Sequence, residues 1–285
     1  MAAHRPIVSP DPGTALAAVA EALHRAMAAP HRRPFVLGLC GAQGSGKSTL
    51  SEALANRMRV EGVSTAVLSI DDLYRTKTER ERLAQTVHPL FAVRGVPGTH
   101  DVSLGLDVIA ALEASQATLL PRFDKAHDDR APVGQWEHAD GGTALLILEG
   151  WCVGARPEAA AALVDPINAL ERDEDGDGRW RRAANDALAG PAYQALFGRI
   201  DMLVLLAAPG FEAVRDWRIE QEHGLAHKAG ADARGVMSDA EVERFIRFYE
   251  RLTRHILAEM PARADLVIRL ACDRIPQSIF TNANP

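Results

Sequence analysis

Apolar positions along this chain follow two spacings. Short runs rich in Val, Ile and Leu at 35–40, 65–70, 144–148, 201–206 and 265–270 are too brief for helices and are bounded by glycine or polar residues, so they predict five buried strands. Elsewhere the apolar residues recur every three or four positions. Leu16, Val19, Leu23 and Met27 predict an amphipathic helix over 14–29, closed by Pro30 and Pro34. Leu50, Leu54 and Met58 predict a second helix over 48–59, and 102–114 reads as a third. Towards the end, Ser238 and Glu241 form a capping-box pattern ahead of Val242, Phe245, Ile246, Leu252, Ile256 and Leu257, and Pro261 marks the stop. Residues 1–13, with three prolines, read as irregular, and the acidic stretch 171–178 predicts a loop. Continuously apolar strands separated by helices predict an α/β fold with a mostly parallel, doubly wound sheet covered on both faces. Ligands of such sheets lie beyond the carboxyl ends of the strands.

The polar residues at those ends carry the chemistry. Gly41-Ala42-Gln43-Gly44-Ser45-Gly46-Lys47-Ser48 matches GxxxxGK[ST] between a predicted strand and a predicted helix, the context a phosphate-binding loop requires. Glycines let backbone N–H groups turn onto phosphate oxygens, and the helix N-terminus adds partial positive charge. Lys47 then reaches the terminal phosphates of ATP, the Ser48 hydroxyl ligates Mg²⁺, and Thr49 completes the nucleotide-binding set. Asp71 and Asp72 end the second predicted strand, where neighbouring side chains would point to opposite faces, and Glu149 ends the third. Phosphoryl transfer needs one carboxylate to orient or deprotonate the attacking hydroxyl and another to support the metal. Asp71 is the candidate for the first role and Glu149 for the second. Arg215 and Arg218 stand one helical turn apart, so both are candidates to offset charge on the transferring group; pairing with Glu220 or Glu222 on a solvated face is the alternative.

Composition removes several other classes. With 285 residues, 47% hydrophobic and 25% charged, the chain reads as an ordered globular protein, and a formal charge of -6 provides no basic excess to hold nucleic acid. Arg75, Lys77, Arg80 and Arg82 alternate with Glu79 and Glu81 and read as a solvated helix face. Cys40, Cys152 and Cys272 are far apart, without a disulfide or zinc pattern. No run is long enough to span a membrane, and the start lacks the apolar core of a secretory signal, so a cytoplasmic location is expected. Asp173, Asp175, Asp177 and Gly178 imitate the opening of an EF-hand, but the twelfth position is Ala184 rather than the required Glu.

Several segments resemble the D-glycerate 3-kinase family, within the wider group of P-loop kinases that includes uridine kinase, phosphoribulokinase and bacterial pantothenate kinase. The wider likeness rests on the phosphate loop, on Ser69-Ile70-Asp71-Asp72-Leu73-Tyr74 and on Leu148-Glu149-Gly150. The narrower one rests on Arg94-Gly95-Val96-Pro97-Gly98-Thr99-His100-Asp101, on Pro121-Arg122-Phe123-Asp124-Lys125 with Phe123 in place of the usual Tyr, on the stretch 168–185, and on Trp217-Arg218-Ile219-Glu220-Gln221-Glu222. The likeness runs from about Phe35 to Leu270. The resemblance implies a P-loop kinase domain over 34–285 behind an N-terminal extension over 1–33. It also implies ATP and Mg²⁺ as cofactors, Asp71 as base, and a small-molecule acceptor held by Asp71, Tyr74, Arg94, His100, Asp101, Arg122, Asp124 and Lys125. D-glycerate, giving 3-phosphoglycerate, is the expected acceptor. A carboxylate of that kind needs a bidentate cation, and Arg94, Arg122 and Arg130 all qualify on chemistry. The same residues suit pantothenate, a nucleoside or another small alcohol, and a nucleotide-gated switch without an acceptor is the rival of a different class.

Overall fold

The computed structural model describes residues 12–229 and 237–282. In chain order the elements are α1 (Pro12–Ala28), β1 (Phe35–Gly41), α2 (Lys47–Val60), β2 (Thr65–Ser69), α3 (Lys77–Thr86), α4 (Val102–Glu113), the short strands β3 (Thr118–Leu120), β4 (Phe123–Asp124), β5 (Asp129–Arg130) and β6 (Glu137–Ala139), β7 (Leu145–Gly150), α5 (Ala169–Glu174), α6 (Arg179–Ala189), α7 (Pro191–Phe197), β8 (Met202–Ala207), α8 (Phe211–Ala229), α9 (Asp239–Glu259), β9 (Leu266–Leu270) and β10 (Pro276–Thr281). The main sheet runs β10-β9-β8-β1-β7-β2. Every neighbouring pair is parallel except β9–β10.

Side-chain alternation makes this sheet two-faced. Val36 and Cys40 of β1, with Leu146 and Leu148 of β7, enter the core shared with α4, α6, α7 and α9. Phe35, Leu37 and Leu39, with Leu145 and Ile147, enter the opposite core with α1, α2 and α8. Burying both faces is why these strands are apolar without interruption. Val19, Ala20 and Leu23 of α1 are fully buried in the second core, so this helix covers the same sheet face as α2. Both halves of the capping box form at Ser238, and a second closes Thr76–Glu79 at the start of α3. Among the described residues no helix is long and apolar enough to cross a membrane.

Four features depart from the sequence-based expectations. The sheet has a sixth strand, β10, whose Gln277 and Ser278 interrupt any apolar run. Residues 171–178 do not form a plain loop: Asn168 caps α5, Glu171 is fully buried, and Asp175 is sealed against Arg181 at 2.9 Å. Asp71 and Asp72 do not end β2; they lie in the 3₁₀ turn Ile70–Leu73 that follows it. Arg80 is not on a solvated face. It is 1% exposed and donates to the carbonyls of Arg75 (3.2 Å), Ala92 (2.9 Å) and Asp128 (2.6 Å), and it pairs with the Asp128 carboxylate at 2.9 Å. A buried guanidinium meets three carbonyls only where three chain segments converge, and sequence spacing does not reveal that convergence.

Replacing Arg80 strands those acceptors, so Arg80→Met is expected to cost about 3 kcal/mol or more in urea denaturation. An unchanged midpoint would show that the convergence contributes no net stability.

Candidate active site

The loop after β1 turns on two left-handed glycines, Gly44 (φ 75) and Gly46 (φ 84). At Gly44 a Cβ would stand 2.5 Å from Trp217 Cβ, so no side chain fits. Gly46 caps α2, which begins at Lys47. Glu149, on the neighbouring strand β7, sits in register with Leu39 of β1 and Ser69 of β2. Ser48 Oγ donates to Glu149 Oε1 at 3.2 Å, while Glu149 Oε2 is buried without a hydrogen-bond partner. A buried carboxylate oxygen left open beside a loop serine suits a divalent cation, so Ser48 and Glu149 fit Mg²⁺.

Asp71 sits across the cleft from Lys47. The 3₁₀ turn is started by Ser69, whose Oγ accepts from Asp71 N–H at 3.2 Å. Tyr74 Oη donates to Asp71 Oδ1 at 2.9 Å, and Lys125 Nζ donates to Oδ2 at 2.9 Å. Burial pushes the Asp71 carboxyl up, but the charges of Lys125 and Lys47 and these two hydrogen bonds outweigh it and hold the group well below the usual carboxylate range. Asp72 points elsewhere: it accepts from Phe123 N–H (3.0 Å) and from Arg122 (3.3 Å). Burial raises the Asp72 carboxyl, against the pull of those same partners.

A cleft of about 580 Å³ contains Gln43, Gly44, Lys47, Ser48, Ser69, Asp71, Tyr74, Arg94, Lys125, Glu149 and Arg218. Arg94 pairs closely with Asp128 and lies 5.5 Å from the Phe123 ring centroid. Arg218 pairs closely with Glu222 and lies 5.6 Å from the Phe245 centroid. The remaining wall is Trp151, Tyr249 and Phe245, with Gln221 and Gly224 of α8. Trp151 Nε1 donates to Gly95 O at 3.1 Å and Tyr249 Oη to Arg94 O at 3.2 Å, so these rings fix the backbone that carries Arg94.

Not every residue expected at the site reaches the cleft. Arg215 faces Asp216 and Glu243 on a half-exposed surface rather than joining Arg218. His100 is buried behind Tyr74, stacked at 4.7 Å and bonded to Tyr193 Oη at 2.7 Å. Burial pushes its pKa down to about 4, so at neutral pH it is no cation for a carboxylate. Asp101 is tied to Arg130 at 2.9 Å, and Asp124 turns outward to His127 at 2.6 Å. Arg122 lines a polar groove along β2 that adjoins the cleft at Ser48, Ser69 and Glu149, and it pairs there with Asp72 and Glu137. Of the three candidate carboxylate cations, Arg94 is therefore the one in the cleft. Trp151 and Tyr249 were not legible as site residues; the only hint was their closeness to Glu149 and to the Phe245 stripe.

Because the Asp71 pKa is lowered on folding, its ionised form stabilises the fold above the unfolded pKa, and that stability is lost as pH falls through the folded value. Lys125→Met is thus expected to lower stability at pH 7 and to differ less from wild type below roughly pH 4. Chemical denaturation at several pH values reads this, and a penalty independent of pH would refute the coupling.

A search of family models matches residues 36–165 to the phosphoribulokinase/uridine kinase family. The uncharacterized kinase mug58 of Schizosaccharomyces pombe is 36% identical over 233 residues, covering 77% of this chain and 80% of that protein. The chloroplastic D-glycerate 3-kinase of Arabidopsis thaliana is 27% identical over 254 residues, covering 84% of this chain and 52% of that protein. Among solved structures, a D-glycerate 3-kinase from Cryptococcus neoformans shares the fold, with a TM-score of 0.78 at 23% identity over 95% of this chain and all of that one. With the phosphate loop, the Asp71 turn and Glu149 converging on one cleft, the chain belongs to the same family of P-loop kinases as mug58, related to the phosphoribulokinases and uridine kinases.

Proposed function

We propose that this kinase transfers the γ-phosphoryl group of Mg-ATP to a hydroxyl of a small anionic alcohol, and that D-glycerate, giving 3-phosphoglycerate, is that acceptor. The observation that carries the reading is that Lys47 and Asp71 face one cleft which also holds three further cations, Arg94, Lys125 and Arg218. Lys47 and the loop amides bind the terminal phosphates. Ser48 and Glu149 would hold Mg²⁺, which when bound offsets charge on the transferring group. Arg218 adds a fixed positive charge from α8.

Asp71 has a carboxyl too acidic to remove a hydroxyl proton before reaction. Its role is to accept a hydrogen bond from the acceptor hydroxyl and to take the proton as the new P–O bond forms and the bond to ADP breaks, which suits a loose transition state. Oδ1 and Oδ2 each hold one partner, Tyr74 and Lys125, and each keeps a second lone pair for the acceptor hydroxyl. An acceptor carboxylate would meet Lys125 and Arg94, whose planar fork matches a carboxylate. A neutral alcohol offers those cations no anionic partner, which favours an anionic acceptor over a nucleoside.

Lys47→Ala is expected to abolish turnover with the fold retained by circular dichroism; wild-type turnover would discard the mechanism. Asp71→Asn should lower kcat by roughly 10²–10⁴ while nucleotide affinity holds. Equal losses in both would make Asp71 a binding group. ADP release measured with D-glycerate, pantothenate and uridine offered separately tests the acceptor: glycerate should give the highest kcat/KM, and a preference for a neutral alcohol would overturn the assignment.

A further inference from the structure

The phosphate loop is also gripped from outside the cleft. Arg274, in the turn between β9 and β10, donates from Nε to the carbonyl oxygen of Gly44 at 2.8 Å. Its guanidinium lies 5.4 Å from the Trp217 ring centroid, and Nη2 reaches Glu220 at 2.5 Å. Trp217 in turn donates Nε1 to Cys272 O at 2.5 Å, in the same turn. Arg274 adopts φ 68, a left-handed conformation uncommon outside glycine, so the surrounding contacts are holding it there. One network thus joins three segments far apart in sequence: the loop, α8 and the last sheet connection.

The contact matters because a peptide unit is planar. Holding the Gly44 carbonyl outward turns the Ser45 N–H on the same plane inward, where it closes a turn onto Ala42 O at 3.2 Å. Trp217 backs the other side of Gly44, at the point where a Cβ would collide. The loop's shape is therefore set by two groups that are not part of the motif. Both stand on or against α8, the helix that brings Arg218 and Gln221 to the cleft.

We propose that Arg274 is a positioning residue for triphosphate binding, acting through the Gly44 carbonyl and tying the phosphate loop to α8. The proposal rests on the nucleotide reading of the cleft given above. It separates cleanly from a direct contact between Arg274 and the base, because a positioning residue affects any ligand of the loop whether or not it carries a base.

The test compares wild type, Arg274→Ala and Arg274→Lys by calorimetric titration with Mg-ATP, Mg-tripolyphosphate and adenosine. The Arg274 side chain is 30% exposed, so the variants should fold with little change in Tm. Arg274→Ala should weaken Mg-ATP and Mg-tripolyphosphate by the same factor, roughly tenfold for one lost charged hydrogen bond, and leave adenosine unchanged. Lys keeps the charge but not the fork that bonds Gly44 while stacking on Trp217, so Arg274→Lys should not restore affinity. Unaltered Mg-ATP binding in both variants, or a loss for Mg-ATP and adenosine that spares tripolyphosphate, would overturn the proposal. A wild-type protein that binds none of the three would instead overturn the nucleotide reading itself.

Discussion

The acceptor side of the cleft depends on one short turn that carries two consecutive carboxylates. In a 3₁₀ turn successive side chains are about 120° apart rather than opposed, so Asp71 and Asp72 reach different parts of one passing segment. Asp72 binds the Phe123 amide and Arg122; Asp71 binds Lys125. The segment they hold contains only the two-residue strands β4 and β5 and has little ladder of its own. Burial of both carboxylates is unfavourable in itself, and the partners they hold offset it. Without this turn Lys125 would have no fixed position relative to Lys47.

Three cations of the cleft are already engaged: Lys125 with Asp71, Arg94 with Asp128, Arg218 with Glu222. A flexible lysine or arginine loses rotamer freedom on binding an anion, and holding it against a carboxylate beforehand lowers that cost. The same arrangement requires an incoming anion to compete with a carboxylate already present. A ligand of the wrong shape or charge gains too little to do so, which turns pairing into selection.

Much of this was legible in the sequence because its signals were local. The GxxxxGKS string lies between a strand and a helix, and the five apolar runs correspond to β1, β2, β7, β8 and β9. Features built from distant contacts were not legible. Arg80 looks like any residue in a charged helix until its three carbonyl partners, up to 48 positions away, are brought together. His100 adjoins Asp101 and Thr99 in a segment that does approach the site, but nothing local shows that its ring lies behind Tyr74. Tyr249 belongs to the apolar stripe of α9, and a ring that lines a cleft has the same spacing as one that fills a core. Strand β10 carries no continuous apolar run, because Gln277 and Ser278 precede its only buried pair, Ile279 and Phe280, which enter opposite cores.

The chain divides its labour by position. The phosphate loop, Arg218 and Arg274 come from the β1–α2 connection, from α8 and from the β9–β10 turn, all framed by the central strands. Asp71, Tyr74, Arg94 and Lys125 all come from the single excursion between β2 and β7, outside the main sheet. Under the proposed function, substitutions within the excursion change the surroundings of the acceptor without altering a residue of the phosphate loop, so the two halves of the cleft can be varied separately.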